Sequence, residues 1–212
     1  MYIDDFRAAN EFSKSLGLPG IVIPPIKAYS YIQDPDFFPT LANFLTINEP
    51  HELVANCNVV SQVVCEAISR MSDCTAYLTI GDITFDGKPF FDVNADYIKG
   101  AIAGGKSSLA AQKYRHHAWV TLDTMEIIDF TLNTSMALLS KDLSPPMRYK
   151  LLGGVLSGYA DEITDGMRYC PILVGEEFYT TYDSTYPLLK SIYLNGLNTK
   201  SITQSVITRI DS

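Results

Sequence analysis

The sequence predicts an α+β domain, and two observations support this prediction. The first is an amphipathic helix that follows Asn56, because apolar residues recur there at helical spacing. The stripe comprises Val60, Val63, Val64, Ala67, Ile68 and Met71. The second is a later change in the spacing of apolar residues, which then tend to recur at every second position, as in a strand. This part of the sequence ends in two β-prone runs, 117–122 and 126–131, on either side of the short turn 123–125. Such a pair of runs predicts an antiparallel hairpin.

The composition predicts a globular chain with its own hydrophobic core. Hydrophobic residues make up 47% and charged residues 19% of the 212 residues, so apolar burial can outweigh chain entropy. No repeat or linker divides the chain, and we expect a single domain spanning 1–212. Within it, residues 1–50 would supply an N-terminal helix and a proline-rich wrap. Residues 56–131 would form the core that carries the chemistry, and 132–212 a C-terminal elaboration.

The charge balance disfavours two classes of partner. A net charge of -8 leaves the chain without the basic surface that nucleic acids and anionic membranes attract.

No apolar run approaches the ~18 residues of a membrane span, and the acidic start Met1–Phe6 lacks the basic residues of a signal peptide. We therefore expect a cytoplasmic protein, with secretion by a signal-independent route left open. The sequence does not indicate an oligomeric state.

The N-terminal segment predicts a helix of about four turns and then an extended wrap. The helix is indicated by the apolar residues Tyr2, Phe6, Ala9, Phe12 and Leu16, and the pattern ends at Gly17-Leu18-Pro19-Gly20. Prolines disfavour regular structure between residues 19 and 39. We expect this segment to run over the surface, with one short strand at 21–23.

The remaining segments predict shorter elements. Residues 76–80 predict a strand, 86–88 a turn, and the segment around Gly104-Gly105 a short helix on either side of the glycines. Beyond Pro145-Pro146 we expect a helical or turn-rich stretch, a strand within 169–181 and a helix over 186–194. The end after Asn198 has little to bury and is expected to fray.

Three residues have the types and spacing that nucleophilic thiol chemistry requires. Cys57 follows Asn56, a good N-cap residue, so it would lie in the first helical turn, where the helix dipole stabilises a thiolate. His117 and Asp129 lie on the two strands of the predicted hairpin. A turn of about three residues would place them across from, or diagonal to, each other. A turn one residue longer or shorter would put them on opposite faces.

Their sequence context resembles a known family. Asn56-Cys57 at a helix start, His117-Ala118-Trp119-Val120, and Ile127 to Thr131 resemble the Cys, His-Ala-Trp and Asp-x-Thr motifs of the transglutaminase-like branch of the papain-like cysteine enzymes. The resemblance spans residues 56–131. It implies a papain-like fold, in which a cysteine-bearing helix packs on an antiparallel β-sheet that carries the histidine and the acid.

The resemblance also implies a reaction class. Cys57 would be the nucleophile, His117 the base and later the acid, and Asp129 the group that orients the imidazole. The enzyme would form an acyl-enzyme from an amide or ester carbonyl of a peptide, protein or small amide, without a cofactor. Peptidase, amidase, deamidase and transglutaminase activities all remain open.

The oxyanion donors are less defined. The backbone N–H of Cys57 is one candidate, but the position six residues upstream, a glutamine in papain-like enzymes, is His51 in this chain. Asn48, His51 and Asn56 are candidates for the second donor. Trp119 shares a strand face with His117, so it would either shield the imidazole or fill the core.

Two other interpretations compete with the catalytic one. Cys57 lies three and seven residues before Val60 and Val64, so it could be a buried core residue of a non-catalytic binding module on the same fold. The other thiols, Cys65, Cys74 and Cys170, form no CxxC pair, and we expect them to be reduced packing residues. No metal site is expected, since the adjacent His116 and His117 would point to opposite faces of a strand.

The second competing interpretation is nucleotide binding. Residues 100–107 match the phosphate-binding pattern G-x-x-x-x-G-K-[ST], in which Gly100, Gly105, Lys106 and Ser107 would contact the phosphates. The preceding residues are too polar for a buried parallel strand, however, and the strand predicted at His117 begins too soon for a long helix to follow. The sequence therefore favours a loop here over a phosphate site.

Overall fold

The structure, a computed structural model, describes residues 1–43, 53, 56–105, 116–140, 143–163, 166–183 and 185–196. These residues form a mixed α+β fold around a curled antiparallel sheet. The helices are α1 (Tyr2–Ser15), α2 (Phe37–Ala42), α3 (Cys57–Met71), α4 (Ala95–Ala103), α5 (Leu132–Leu139), α6 (Pro145–Leu151), α7 (Glu177–Tyr182) and α8 (Tyr186–Gly196). The strands are β1 (Ala76–Phe85), β2 (Lys88–Pro89), β3 (His117–Leu122), β4 (Glu126–Asp129), β5 (Leu156–Tyr159) and β6 (Met167–Val174).

Strand β1 is the centre of the sheet. It pairs with β3 over Ala76–Gly81 and with β6 over Thr79–Phe85, and its far end makes a short hairpin with β2. On the other side of β3, the sheet continues through β4 to β5. Every pairing is antiparallel, so one curled sheet carries both β3 and β4 in its interior.

Two hydrophobic clusters cover the two faces of this sheet. Alternation along β3 turns Ala118 and Val120 towards the cluster that contains the apolar stripe of α3. The opposite face carries Trp119, which joins the cluster that contains Tyr2 and Phe6 of α1. The sheet therefore lies between α3 on one side and α1 on the other, and both predicted helices are confirmed.

The β3–β4 hairpin has the predicted three-residue turn. Its register pairs Val120 with Ile128 and Thr121 with Ile127. Met125, the last turn residue, has a φ of 65°, and its N–H donates to the Leu122 carbonyl at 2.9 Å. A tight turn followed by a left-handed residue is the common form of three-residue hairpin loops. The turn thus sets the strand register on which the candidate site depends.

The segment between α1 and α2 forms neither helix nor strand, as its prolines predict, and it is tied to this turn. The buried carboxylate of Glu126 accepts hydrogen bonds from the Ser30 hydroxyl and from the backbone N–H of Tyr31 at 3.0 Å. Lys27 forms an ion pair with buried Asp123 at 3.0 Å. These contacts hold the segment between α1 and α2 against one end of the hairpin.

One strand prediction is wrong. Residues 21–23 form no strand. The Asn10 side chain of α1 accepts from the Ile21 N–H at 2.9 Å and donates to the Ile21 carbonyl at 3.0 Å. This amide therefore takes both hydrogen bonds that a neighbouring strand would have made.

Other expectations differ in detail. The run 126–131 forms a strand only to Asp129, because the next residues lead into α5. The sequence did not predict four of the elements, α2, α5, α7 and β5. The strand within 169–181 and the helices after Pro145 and at 186 are present. The expected helix after Gly105 and the end after Asn198 lie outside the described residues.

The close contact of β1 with β6 generates a stability prediction. A Cβ at Gly81 would overlap the carbonyl oxygen of Cys170 on β6, whereas Gly100 on α4 has open space around the same position. Gly81→Ala should lower the free energy of unfolding by about 2 kcal/mol or more, since backbone must move. Gly100→Ala, the matched control, should raise it by about 0.5–1 kcal/mol. Urea denaturation measures both, and a neutral Gly81→Ala would contradict the strand packing.

Candidate functional site

The structure brings Cys57 and His117 together. Cys57 is the first residue of α3 and is half-buried, and His117 is the first residue of β3 and is buried. Their side chains lie close enough to interact, and this interaction raises the pKa of His117. Ser61, one turn further along α3, donates to the Ala118 carbonyl at 3.0 Å. This bond ties the start of the helix to the start of the strand, so the thiol stays beside the imidazole.

Asp129 completes a row of three side chains. The His117 Nε2 and the Asp129 Oδ2 are 2.6 Å apart. Continuing the register of Val120 with Ile128 places Asp129 opposite Trp119 and diagonal to His117, one of the two arrangements that the turn length predicted. Because Asp129 binds Nε2, the other ring nitrogen, Nδ1, is available to a second partner.

Four further hydrogen bonds hold the Asp129 carboxylate. Its Oδ1 accepts from the Thr131 N–H at 2.9 Å, the Thr131 hydroxyl at 3.1 Å and the Leu132 N–H at 3.0 Å. Its Oδ2 accepts from the Tyr169 hydroxyl at 3.0 Å. Two of these donors are backbone groups at the start of α5, where unpaired N–H groups stabilise negative charge. The acid is therefore both fully buried and fully hydrogen-bonded.

Burial and neighbouring groups shift the pKa values of His117 and Asp129 in opposite directions. Burial lowers the pKa of His117, but the Asp129 carboxylate and the Cys57 side chain outweigh it and raise that pKa to about 10. Burial raises the pKa of Asp129, yet His117 and the N–H groups of Thr131 and Leu132 bring it below its ordinary value. At neutral pH the imidazole is therefore protonated and the carboxylate ionised.

Aromatic rings cover the imidazole. Phe91 is stacked on His117 with a centroid distance of 4.9 Å and an interplanar angle of 6°. Trp119 lies 6.2 Å from His117 at 23°, and its indole N–H donates to the Tyr2 hydroxyl at 2.8 Å. Trp119 has no exposed surface. It therefore both shields the imidazole and fills the core, the two roles that the sequence left open.

Sequence reasoning missed Phe91, Tyr169 and Asp82. The buried Asp82 carboxylate accepts from the backbone N–H of Ile83 at 2.7 Å, Phe91 at 2.9 Å and Val93 at 3.3 Å. It thereby holds the segment that places Phe91 on His117. An acid inside an apolar strand run was the available signal for Asp82. Tyr169 carried no comparable signal.

The other candidate residues have different outcomes. Asn56 occupies the N-cap position of α3, but its side chain makes no capping hydrogen bond, so that part of the prediction is wrong. Its backbone carbonyl accepts from the Val60 N–H at 2.9 Å, as a helix start requires. Asn48 and His51 lie outside the described residues.

The other three cysteines and His116 have shifted pKa values. Burial raises the pKa of the Cys65 and Cys74 thiols, that of Cys74 to about 12, and the pKa of half-buried Cys170 is also raised, mainly by burial. His116 is buried beside Tyr179, at 5.5 Å between rings, and burial lowers its pKa to about 3. These groups stay neutral at physiological pH.

The phosphate-binding match lacks the required context in the described part of the chain. Gly100 lies inside α4, no strand directly precedes that helix, and Gly105 follows it with a φ of 69°. Lys106 and Ser107 lie outside the described residues. Within the described ranges, no group of three or more His, Cys, Asp or Glu side chains could hold a metal ion.

Comparisons of the chain with protein-family models, curated proteins and solved structures give no match. None of the helices in the described ranges has the length and apolar character needed to cross a bilayer. What can be inferred about function therefore comes from Cys57, His117, Asp129 and their surroundings.

The His117–Asp129 pair generates a prediction about stability and pH. The raised pKa of His117 stabilises the fold. This stabilisation is complete at pH values below ~6.5, the pKa of histidine in the unfolded chain, and is lost as the pH rises towards about 10. The lowered pKa of Asp129 stabilises the fold above its unfolded value of ~3.9 and is lost in acid.

Asp129→Asn should therefore cost about 3 kcal/mol of unfolding free energy at pH 6, because it leaves a buried base without its anion. The difference from wild type should shrink as pH rises to 9.5. Urea denaturation at the two pH values measures it, with Asp86→Asn as an exposed control that should show neither effect. A loss that is small, or equal at both pH values, would contradict a buried ion pair.

Proposed function

We propose that the protein is a cysteine-nucleophile enzyme of the papain-like, transglutaminase-like type, acting on an amide or ester carbonyl. The observation that supports this most strongly is the His117–Asp129 hydrogen bond, with the Cys57 side chain near enough to His117 to raise the pKa of the imidazole. The motif order and the mixed α+β fold with an antiparallel sheet agree with this proposal. The site supplies a nucleophile, a base and an orienting acid.

The first half-reaction would form a thioester. The Cys57 sulfur, with its proton held by His117, attacks the carbonyl carbon, a C–S bond forms, and the carbonyl oxygen becomes an oxyanion. The oxyanion then collapses, the bond to the leaving nitrogen or oxygen breaks, and His117 returns the proton to that leaving group. Asp129 keeps the imidazole oriented throughout.

The second half-reaction would release the acyl group. His117 takes a proton from water or from an amine, which attacks the thioester carbon. The C–S bond then breaks, and His117 returns the proton to the Cys57 sulfur. Water gives a peptidase, amidase or deamidase, and an amine gives a transglutaminase. The acceptor that reaches His117 therefore decides between hydrolysis and transfer.

The start of α3 would help to stabilise the oxyanion. The Cys57 N–H belongs to the first helical turn, where backbone N–H groups have no partner within the helix. Such an N–H group can donate to the oxyanion that forms when the Cys57 sulfur attacks the carbonyl carbon. Asn56, directly before it, is the described candidate for a second donor.

The proposal predicts selective alkylation of Cys57. Iodoacetamide at pH 7 should label Cys57 faster than half-buried Cys170, because the imidazole can hold the thiol proton. His117→Ala should lower the Cys57 rate at least about tenfold and leave the Cys170 rate unchanged. Mass spectrometry of the labelled peptides measures both rates in one sample. Cys57 labelling no faster than Cys170 would instead indicate a binding module that does not use this thiol.

Acyl transfer can be tested with p-nitrophenyl acetate. The thiolate should take the acetyl group and release nitrophenolate in a burst, leaving an acetyl adduct on Cys57 that intact mass spectrometry detects. Cys57→Ser should abolish the burst, and Asp129→Asn should slow it about 100-fold or more. Added primary amine then distinguishes transfer from hydrolysis, because only a transferase forms the acetylated amine faster than buffer does. A burst that persists in Cys57→Ser would refute the proposal.

A further inference from the structure

Tyr169 reaches the candidate site across the central strand of the sheet. It lies on β6, which pairs with one edge of β1, whereas β3 and β4 continue the sheet from the other edge. In a flat sheet the three strand spacings from β6 to β4 would amount to about 14 Å. The curl of the sheet brings the Tyr169 hydroxyl to 3.0 Å from the Asp129 Oδ2.

Packing holds the Tyr169 ring independently of its hydroxyl. The ring lies edge-on to Trp119, with a centroid distance of 5.0 Å and an interplanar angle of 67°. Gly81 makes room for Trp119, because a Cβ at that position would lie 2.9 Å from the Trp119 ring. Tyr169 itself is 1% exposed. Removing the hydroxyl alone should therefore leave the ring in place.

The donors around Asp129 are divided unequally between its two oxygens. Oδ1 accepts from Thr131 and Leu132. In the described part of the chain, Oδ2 accepts only from the His117 Nε2 at 2.6 Å and the Tyr169 hydroxyl at 3.0 Å. Because each hydrogen bond to a carboxylate stabilises its charge, a second donor weakens the attraction of that oxygen for the first. The Tyr169 hydroxyl therefore limits the hold of Oδ2 on the imidazole.

This limit is relevant to proton transfer at His117. The pKa of His117 is raised to about 10, whereas a group that both takes and returns a proton works best with a pKa near the working pH. A contact that weakens the attraction of Asp129 for the imidazolium keeps the His117 pKa from rising further. The Tyr169 hydroxyl retains its proton for this contact, because burial and the Asp129 carboxylate raise its pKa well above the usual 10.

Other titratable groups lie around the pair. Cys57 on α3 raises the His117 pKa. His116 is neutral, because burial lowers its pKa to about 3. The Asp82 carboxylate on β1 is bound by three backbone N–H groups, and Tyr2 on α1 retains its proton because burial raises its pKa. All four are unchanged in variants at position 169, so such variants report on the Oδ2 contact.

We propose that Tyr169 is a positioning residue of the proposed reaction, because its hydroxyl both orients the Asp129 carboxylate and limits the hold of Oδ2 on the His117 imidazole. This inference rests on the proposed function, in which His117 takes up a proton and returns it in each half-reaction. Tyr169 acts through Asp129 and does not touch the reacting atoms.

Two substitutions at position 169 change the hold of Oδ2 in opposite directions. Tyr169→Phe removes the hydroxyl and keeps the ring, so the His117 pKa should rise by about 0.5. In place of Tyr169, 3-fluorotyrosine has a more acidic hydroxyl that donates more strongly, so the His117 pKa should fall below its wild-type value. Titration by ¹H–¹⁵N NMR measures each pKa, and the same spectra show that each variant is folded.

Tyr186→Phe is the matched control. Tyr186 is as buried as Tyr169, but its hydroxyl donates to Glu176, at 3.2 Å, and not to Asp129. Removing it should leave the His117 pKa at its wild-type value. A shift equal to that of Tyr169→Phe would show that loss of any buried hydroxyl has this effect, and would overturn the inference.

The acetyl adduct on Cys57 links the pKa to the reaction. Its hydrolysis requires neutral His117 to take a proton from water, so at pH 8 it should be about threefold slower in Tyr169→Phe. Raising the pH by about 0.5 should restore the wild-type rate, because it restores the neutral fraction of His117. A loss of rate that a higher pH does not restore would indicate a merely structural role and contradict the inference.

The outcomes separate the inference from the proposed function. A His117 pKa that is unchanged or lowered in Tyr169→Phe, or that does not fall with 3-fluorotyrosine, would overturn the inference. If p-nitrophenyl acetate still acetylates Cys57 in wild type in that case, the proposed function stands. If wild type forms no acetyl adduct, the proposed function fails, and the role of Tyr169 in the reaction fails with it even where the His117 pKa follows both substitutions.

Discussion

The ion pair between His117 and Asp129 is the interaction on which the arrangement of the site depends. Removing two charges from water costs several kcal/mol per ion, so a buried pair persists only where hydrogen bonds satisfy its remaining lone pairs. Thr131 and Leu132 at the start of α5 supply three of them, and Tyr169 on β6 supplies the fourth. The pair thereby requires β4, α5 and β6 to meet around one carboxylate.

The same arrangement places the three side chains on different elements. The interior of the sheet holds Asp129 and His117, and Cys57 lies at the start of α3. Stacked rings of Phe91 and Trp119 keep water away from the imidazole. Low local polarity strengthens the charge interactions within the row, as it does in enzyme active sites.

Sequence reasoning was most successful where local rules determine geometry. The stripe of α3 and the three-residue turn ending at Met125 follow from spacing, and the turn sets the register that brings His117 and Asp129 together. It failed where a contact with a distant residue determines the local structure. The Asn10 side chain hydrogen-bonds to both backbone groups of Ile21, and the Asp82 carboxylate accepts from the N–H of Phe91, nine residues later. Tyr169 reaches Asp129 across forty residues of chain, which no local pattern encodes.

The most direct test of the central claim is the titration of the His117 imidazole by ¹H–¹⁵N NMR, in wild type and in Cys57→Ala. The His117 pKa should lie far above the ordinary ~6.5 in wild type, at about 10, and should fall measurably when the Cys57 sulfur is removed. Nε2 should stay protonated towards Asp129 on both sides of that titration. A His117 pKa near 6.5 that does not respond to Cys57→Ala would contradict a working Cys57–His117–Asp129 row.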